Sequence, residues 1–302
     1  MSGYVRPTTV IHSSRLNALL GQEVVIASET FQETGSFKFR ATWNLVNQVP
    51  HPAVIAASSG NFGQALARAC QLTGKSCTVV MPETSAKVKI EAVRRYGARV
   101  DLINTETISR ADRVAELQQE DPSAYIASAY DDEHVIRGNA TLGRELARLD
   151  PLPDVVVVPI GGGGLASGVI TGLNEAGANM EVVGAEPALA NDAARSLRAG
   201  EIVRNLSEPQ TIADGARTVS VGMLNWPILS RGLAGIVEVS EEQICQALRL
   251  LFSAANVKVE PTGALSIGAL LADPERFRGR RVCCVLSGGN VDPDLYARLI
   301  TG

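Results

Sequence analysis

The sequence contains few of the residues that build covalent cross-links or metal clusters. Its five cysteines are odd in number and include no C-x-x-C pair, which excludes a disulfide framework and a zinc knuckle. The three histidines are far apart, so there is no local histidine-based metal motif. Charge of one sign is not in large excess: 28 basic and 32 acidic residues give −4 at pH 7. Neither nucleic acid nor a membrane surface is therefore an expected partner.

Long hydrophobic runs are also absent, with one exception. Residues 155–174 carry no charge and approach the length of a membrane span. Pro159 and the glycines at 161–164 interrupt this run, which indicates a buried strand, a turn and a helix instead. The N-terminal MSGYVRPTTV has no apolar signal core, so a cytoplasmic protein is expected.

The composition that remains is that of an ordinary globular chain. Of its 302 residues, 45% are hydrophobic and 20% are charged, which excludes a disordered chain. Short β-branched runs alternate with helical patterns, and this alternation predicts an α/β fold with mainly parallel sheet. The predicted strands are residues 54–57, 77–81, 99–103, 155–158, 182–185 and 282–286. The predicted helices are residues 61–72, 85–96, 109–120, 165–176, 191–199 and 241–255, the last with a capping box at Ser240.

The order of these elements predicts two α/β lobes with the active site in the cleft between them. Residues 52–137 hold three strands and three helices in sequence and form the predicted small lobe. Residues 1–51 and 138–302 form the predicted large lobe, which contains the glycine-rich turn.

One lysine has neighbours that favour reactivity. The segment Thr34-Gly-Ser-Phe-Lys38-Phe-Arg40 places Lys38 in the first turn of a predicted helix that runs toward Val49, with Thr34 or Ser36 as its cap. Alone, Lys38 would be interpreted as an exposed surface residue. Two phenylalanines flank it in the sequence, however, and a desolvated amine loses proton affinity and becomes nucleophilic. Lys38 is therefore a candidate for forming a Schiff base.

Two turns between a strand and a helix have the composition of anion sites. Ser58-Ser-Gly-Asn-Phe-Gly63 follows one predicted strand, and Gly161-Gly-Gly-Gly-Leu165 follows another. Small residues there expose backbone N–H groups at a helix N-terminus, which suits a carboxylate or a phosphate. A simple turn with Ser or Asn as helix cap is the alternative for the first segment. The four glycines of the second favour a phosphate cradle over a packing turn.

The second turn also allows another cofactor. Gly161, Gly163 and Ala166 satisfy a loose G-x-G-x-x-A pattern, and Glu186 follows where a dinucleotide-binding fold places its ribose acid. A nicotinamide-dependent oxidoreductase is thus an alternative, although it leaves Lys38 unused.

A last motif adds a hydroxyl group. Leu286-Ser-Gly-Gly-Asn290 follows the last predicted strand, and unless it is only a glycine turn, its serine could hydrogen-bond a neutral ring nitrogen. One amine, two anion sites and this hydroxyl fit a phosphorylated aldehyde that carries an amino-acid carboxylate better than they fit a nicotinamide.

In this order, the four motifs resemble those of the fold-type II pyridoxal-phosphate enzymes, most closely the serine/threonine dehydratase and serine racemase branch. Residues 81–87 and 96–98 also follow that family, so the resemblance covers nearly the whole chain. It implies a two-lobed fold with a mainly parallel sheet flanked by helices in each lobe, and a homodimer. The implied activity is an ammonia-lyase that converts a β-hydroxy amino acid such as L-threonine or L-serine to a 2-oxo acid and ammonia.

The resemblance also implies a role for each motif residue. Lys38 would hold pyridoxal 5'-phosphate and then move the Cα proton of the substrate, with Ser59 on the opposite side of Cα. The implied cofactor contacts are Asn61 at the phenolic oxygen, Gly161, Gly162, Gly163 and Gly164 at the phosphate, and Ser287 at the pyridine nitrogen. The implied substrate contacts, through amides that take its carboxylate, are Ser58, Ser59, Gly60 and Asn61. A serine at the ring nitrogen does not enforce its protonation, which favours rapid loss of a β-hydroxyl group.

A metal site is implied as well. Glu186-Pro-Ala-Leu-Ala190-Asn-Asp192 resembles the divalent-cation segment of the family, with two carboxylates and the Ala190 carbonyl as ligands. Such oxygen ligands suit Mg²⁺ or Ca²⁺, and Mn²⁺ is a further possibility. Without the resemblance, Glu186 is a strand-end acid and Asp192 a helix cap. Phe62 departs from the family, where histidine is common, and this leaves the substrate range open.

Two other functions stay open at this point. An amino-acid racemase would use Lys38 and Ser59 as opposed acid/base groups, so the same residues serve a lyase and a racemase. A non-enzymatic amino-acid-binding protein is the other alternative, and the intact Lys38, Asn61 and Ser287 argue against it.

Overall fold

The structure, a computed structural model, describes residues 3–85 and 87–302, and within them ten strands form two sheets. The strands are β1 (Thr9–His12), β2 (Val24–Ser28), β3 (Ala53–Ala57), β4 (Ser76–Pro82), β5 (Arg99–Ile103), β6 (Ala124–Ala127), β7 (Val155–Pro159), β8 (Glu181–Pro187), β9 (Gly235–Val239) and β10 (Val282–Leu286). The larger sheet has the order β1-β2-β10-β7-β8-β9, and only its β1–β2 pair is antiparallel. The smaller sheet has the order β5-β4-β3-β6 and is parallel throughout.

Helices connect the parallel strands and cover the sheets. They are α1 (Ser14–Leu20), α2 (Lys38–Gln48), α3 (Asn61–Thr73), α4 (Lys87–Arg94), α5 (Arg110–Glu120), α6 (Glu133–Leu146), α7 (Gly164–Glu175), α8 (Asp192–Ala199), α9 (Trp226–Gly232), α10 (Glu241–Ala255), α11 (Pro261–Ala272), α12 (Pro274–Phe277) and α13 (Pro293–Thr301). Alternate residues of β7 enter two different hydrophobic cores, one on each face of the larger sheet. Burial on both faces is typical of parallel sheet, and the predicted α/β fold is confirmed.

The predicted elements agree with the structure to within a few residues. β5, β10 and α10 have the predicted bounds, and the capping box at Ser240 with Gln243 is present. The predicted helix 85–96 is α4, and Ala86 lies outside the described residues. The uncharged run 155–174 is β7, the glycine turn and α7. Among the residues described, no helix combines the length and apolar character that a membrane crossing needs.

The start of α2 differs from the prediction. The sequence predicts Thr34 or Ser36 as the helix cap, but Phe37 precedes the helix and no side chain caps it. The reason is that the segment is held by the larger sheet instead: Ser36 forms a β-bridge with Gly288, and the N–H of Phe37 donates to the carbonyl of Ser287 at 2.9 Å. This pairing fixes Lys38 at the end of β10.

The smaller sheet lies wholly within the predicted small lobe, residues 52–137. Its core also receives α2, because Phe39 and Leu45 belong to the same hydrophobic cluster as Val54 and Val79. The prediction assigned α2 to the large lobe. Because α2 begins beside the end of β10 and packs in the core of the smaller sheet, it connects the two sheets. The lobe boundaries themselves stay a prediction.

Helix α6 packs between α2 and α7 at very short range. A Cβ atom on Gly138 would lie 2.5 Å from the carbonyl oxygen of Arg40, and one on Gly172 would lie 2.0 Å from that of Ala140. Only glycine permits such backbone contact. The helix that carries the lysine and the helix that follows the glycine turn are therefore held against one common partner.

Candidate active site

Lys38, the first residue of α2, directs its amine into the protein. Nζ donates a hydrogen bond to the carbonyl oxygen of Ala129 at 2.7 Å. The ring centroids of Phe37 and Phe62 are 4.9 and 5.6 Å from Nζ. Burial lowers the pKa of Lys38 to about 8, and the charge of Glu260 opposes this shift. A substantial fraction of the amine is therefore unprotonated just above neutral pH, as a nucleophile requires.

One of the two phenylalanines differs from those that the sequence indicated. Phe39 follows Lys38 in the chain but points away from it, and its ring stacks on Trp43 with centroids 6.0 Å apart. Adjacent helical residues point in directions about 100° apart, so they do not share a face. Phe62, in α3, takes the place beside the amine that sequence adjacency assigned to Phe39.

The segment between β3 and α3 folds around the hydroxyl of Ser58. Ser58 Oγ accepts hydrogen bonds from the N–H of Gly63 at 3.0 Å and from that of Gly60 at 3.3 Å. The N-cap of α3 is Gly60, so the alternative of a Ser or Asn at that position is wrong, and Ser58 holds the first turn from two residues before the cap. Ser59 beside it is half-buried. The N–H groups of Asn61 and Phe62, the first two residues of α3, have no intrahelical partners and can serve an anion.

Asn61 is held by residues distant in sequence. Its Nδ2 donates to the two carboxyl oxygens of Glu260 at 2.8 and 3.0 Å, and its Oδ1 accepts from Asn290 Nδ2 at 2.8 Å. Asn290 also donates to the carbonyl of Thr34 at 2.7 Å. These contacts bring the Ser58–Gly63 segment, the lysine segment and the end of β10 together.

Residues 161–164 form the turn from β7 to α7. Gly163 has φ +94°, a conformation that favours glycine. A Cβ on Gly162 would lie 2.2 Å from the ring of Tyr130, so glycine lets this ring close over the turn. The N–H groups of residues 161–163 have no hydrogen-bond partner among the residues described. Free N–H groups at a helix N-terminus are what a phosphate group binds.

Ser287 directly follows β10, beside the lysine segment. It is 2% exposed, and its Oγ has no hydrogen-bond partner within residues 3–85 and 87–302. The same holds for the buried hydroxyls of Thr34 and Ser36. Buried polar groups are nearly always hydrogen-bonded, so three unpartnered hydroxyls along one wall fit a polar ligand placed against it.

The predicted metal ligands have structural partners. Glu186 Oε1 and Oε2 accept from the N–H groups of Ala193 and Ala194 at 2.8 and 2.9 Å. Glu186 therefore caps α8, the role that the alternative gave to Asp192. Asp192 Oδ1 accepts from Asn205 at 2.9 Å, while its Oδ2 is buried without a partner in the described chain.

Both carboxyl groups have raised pKa values. Burial raises the pKa of Glu186 well above its usual value, and the charge of Asp192 adds to this shift. Burial also raises the pKa of Asp192 to about 6, against the hydrogen bond from Asn205. Ala190 lies between them in a short 3-10 turn. Since the described residues contain no cluster of three His, Cys, Asp or Glu side chains, an ion here would need the carbonyl as a ligand.

Sequence reasoning missed Glu260 and Tyr130. Glu260 stands immediately before Pro261, at the start of α11, where an acid looks like a helix-start residue. Only the fold places it against Asn61, which is 199 residues away in the chain. Tyr130 stands in no recognisable motif. Only the structure shows that its ring packs against Gly162.

Replacing Glu260 with glutamine should change how stability depends on pH. Burial and the charge of Asp214 raise the pKa of Glu260 from 4.5 to about 8, so the folded chain binds this proton more tightly than the unfolded chain. Its stabilising effect is complete below pH 4.5 and is lost as the pH rises to about 8. The slope is at most about 1.4 kcal/mol per pH unit. Glu260→Gln should therefore gain stability relative to the wild type between pH 5 and 8 in denaturant titrations, and parallel curves would contradict this assignment.

Three groups of the site match the functional groups of pyridoxal 5'-phosphate. The amine of Lys38 can bond its aldehyde, the free N–H groups of residues 161–163 can hold its phosphate, and the unpartnered hydroxyl of Ser287 can meet its ring nitrogen. The two sheets, parallel except for the β1–β2 pair, have the architecture of the fold-type II pyridoxal-phosphate enzymes. The chain belongs to the pyridoxal-phosphate dependent enzyme family, whose model matches residues 1–288. This match decides against the nicotinamide alternative.

Known proteins resemble this chain over almost its full length. It is 37% identical to the L-threo-3-hydroxyaspartate ammonia-lyase of Saccharomyces cerevisiae, covering 99% of this chain and 92% of the relative. It is 34% identical to the serine racemase of Schizosaccharomyces pombe, covering 99% and 93%. The crystal structure of a threonine deaminase from T.th. superposes with a TM-score of 0.89 at 38% identity, over 96% of this chain and 94% of that one. The chain is thus an enzyme of the class that includes these ammonia-lyases and racemases.

Proposed function

We propose that the chain is an ammonia-lyase for 3-hydroxy amino acids. The observation that carries the proposal is Ser287, a neutral hydroxyl without a partner in the described chain, at the place where the ring nitrogen is expected. A carboxylate there would hold the ring protonated, whereas a serine does not. Negative charge that develops at Cα is then stabilised less by the ring, and loss of the β-hydroxyl group competes well with reprotonation.

The protein residues divide the work of elimination. Bound pyridoxal phosphate supplies an electron sink for the bond that breaks at Cα. The N–H groups at the start of α3 hold the substrate carboxylate, and Lys38 Nζ removes the Cα proton. Lys38 would pass this proton to the β-hydroxyl group, and the electron pair left at Cα would form the Cα–Cβ double bond as the hydroxyl group leaves as water. The resulting enamine tautomerises and is hydrolysed to a 2-oxo acid and ammonia, so the water lost in one step is regained in the other.

A 3-hydroxyaspartate is the substrate we place first. It is the substrate in the name of the Saccharomyces cerevisiae relative. The additional carboxylate needs a cation, and Lys89 of α4 is the candidate. Its Nζ lies 2.6 Å from Asp214, and its charge acts on the buried Glu260. Asp214 begins the short turn that packs against Gly161. L-threonine and L-serine lack this carboxylate and are the comparison substrates.

A panel assay tests the proposal. Purified holoenzyme is incubated with L-threo-3-hydroxyaspartate, L-threonine and L-serine, and 2-oxo acid and ammonia are measured separately. We expect equal amounts of both products, with the highest kcat/KM for hydroxyaspartate. A preparation that binds the cofactor but releases no 2-oxo acid from any of the three substrates would overturn the proposal.

Racemisation is the second candidate, because the half-buried Ser59 lies in the same segment as the carboxylate-binding amides and the serine racemase relative covers the whole site. Elimination needs only Lys38 as base, whereas inversion needs a proton donor on the opposite face. Ser59→Ala should therefore keep substantial elimination and lose most of any racemisation, as chiral chromatography of the remaining substrate would show. Equal loss of both activities would indicate that Ser59 has a shared or structural role.

We also propose that a divalent cation binds Glu186, Asp192 and the carbonyl of Ala190 and supports the fold without taking part in bond making. Support comes from Asp192 Oδ2, which is buried and unpartnered in the described chain, and from the raised pKa values of both carboxyl groups. Two buried carboxylates repel each other unless a cation or a proton neutralises them. Mg²⁺ is the ion we expect first.

Chelation should lower the melting temperature and the activity together, and Mg²⁺ should restore both. At a hundredfold excess over Kd, the ion would stabilise the fold by about 2.7 kcal/mol. Asp192→Asn should remove the dependence on the ion without abolishing the absorbance of the bound cofactor. If chelation changes neither melting nor rate, Glu186 acts only as the cap of α8.

We further propose a homodimer, as the family resemblance implies. Light scattering should then give twice the 31.9 kDa of one chain, and a mass of one chain would contradict it. A cytoplasmic location stays a prediction.

A further inference from the structure

The amine of Lys38 lies between two aromatic rings that belong to different cores. Phe37 packs against the cluster beside the larger sheet, and Phe62 is part of the cluster around the smaller sheet. Their centroids lie 4.9 and 5.6 Å from Nζ, inside the range of about 6 Å at which a ring face and an ammonium group interact.

Phe62 is the more firmly held of the two rings. It is 2% exposed and is the second residue of α3, directly after Asn61. Asn61 in turn is fixed by its hydrogen bonds to Glu260 and Asn290. Core packing and the fixed start of α3 thus hold the Phe62 ring beside Lys38.

Little else near the amine is charged. Its hydrogen bond goes to a neutral carbonyl, that of Ala129. Among the residues described, Glu260 is the acid whose charge acts on Lys38. Burial raises the pKa of Glu260 itself to about 8, so this carboxyl group is mostly neutral at pH 7. Tyr130, which follows Ala129, has a raised pKa because of burial and is neutral as well.

We propose that Phe62, opposed by Phe37, excludes water from the Lys38 amine and thereby sets the pH range in which the enzyme works. The inference rests on the proposed function in one respect, that Lys38 is the base of the reaction. An apolar surrounding disfavours the ammonium form, while a ring face favours it more weakly. The net result is the lowered pKa of Lys38, about 8, which leaves a useful fraction of free amine at neutral pH.

Two substitutions at position 62 separate polarity from packing. Phe62→His keeps a ring but adds nitrogen atoms that bind water and accept a hydrogen bond, and above about pH 7.5 the histidine is itself mostly neutral. Phe62→Leu keeps the site apolar and is the matched control. Circular dichroism and melting would confirm that both variants fold.

The direct readout does not require turnover. The full chain, freed of cofactor, is labelled with a trace of acetic anhydride from pH 6 to 10, and labelling of Lys38 is compared with that of exposed Lys87 by mass spectrometry. We expect a midpoint near pH 8 for wild type and Phe62→Leu, and a midpoint about one unit higher for Phe62→His. Equal midpoints in all three chains, or equal shifts in both variants, would overturn the proposal.

The holoenzyme provides the second arm. The acid limb of kcat against pH should move upward in Phe62→His in the same direction as the labelling midpoint, and should stay in place in Phe62→Leu. If labelling shifts but no form of the enzyme releases ammonia, the proposed function fails while the role of Phe62 stands. If ammonia is released but the limb and the midpoint do not move, the role of Phe62 fails alone.

Discussion

Lys38→Ala should lower kcat by about 10³-fold or more, because it removes the base that takes the Cα proton. The same substitution should abolish the visible absorbance that appears when pyridoxal phosphate bonds an amine. The loss of rate and the loss of absorbance have one cause, the removal of the Lys38 amine. Its Nζ lies between two aromatic rings and next to the carbonyl of Ala129. Absorbance spectra before and after borohydride, with the ammonia assay, measure them together.

The matched control is Lys87→Ala, a change at an exposed lysine on α4. It should leave the spectrum and the rate unchanged. Retention of a borohydride-sensitive band in Lys38→Ala, or equal activity losses in the two variants, would contradict the assignment of Lys38.

Arg40→Ala should cause the largest loss of stability, about 3–5 kcal/mol in the free energy of unfolding. The guanidinium of Arg40 is fully buried and bonds two carboxylates: both oxygens of Glu29, at 2.6 and 3.0 Å, and both of Glu145, at 2.7 and 2.9 Å. It also donates to Thr141 at 3.0 Å. Removing it leaves Glu29 buried without its partner, and a buried unpaired charge costs far more than a surface one. Denaturant titration measures the loss.

The surface pair of Arg137 and Glu133 provides the comparison, since both side chains are about two-thirds exposed. Arg137→Ala should change the unfolding free energy by less than about 1 kcal/mol. Similar losses for the two arginine variants would show that the buried network does not hold α2. Because Arg40 is two residues from Lys38, a folded Arg40→Lys variant should also show reduced kcat.

The contiguous parts of the site could be predicted from sequence. Lys38, Ser287 and the glycines at 161–164 each stand in a short segment whose chemistry is visible without the fold. The flanking strands are buried hydrophobic runs, so β7 and β10 were placed to within a residue.

The parts that depend on packing could not be predicted. Glu260 reaches Asn61 only because the fold places the residue before α11 beside the start of α3, and no local pattern encodes that contact. The same is true of Phe62, which took the place expected of Phe39 beside the lysine. The caps of α2 were predicted wrongly because pairing of Ser36 with Gly288 replaced the capping bonds that Thr34 or Ser36 would have made.

The most direct test of the proposed activity is proton NMR of the reaction of holoenzyme with L-threo-3-hydroxyaspartate in D₂O. Elimination should convert the substrate to a 2-oxo acid with deuterium at its new C3 position, in step with released ammonia, while the remaining substrate keeps its Cα proton and its configuration. Substrate that gains deuterium at Cα and inverts, without any 2-oxo acid, would show a racemase and contradict the ammonia-lyase assignment.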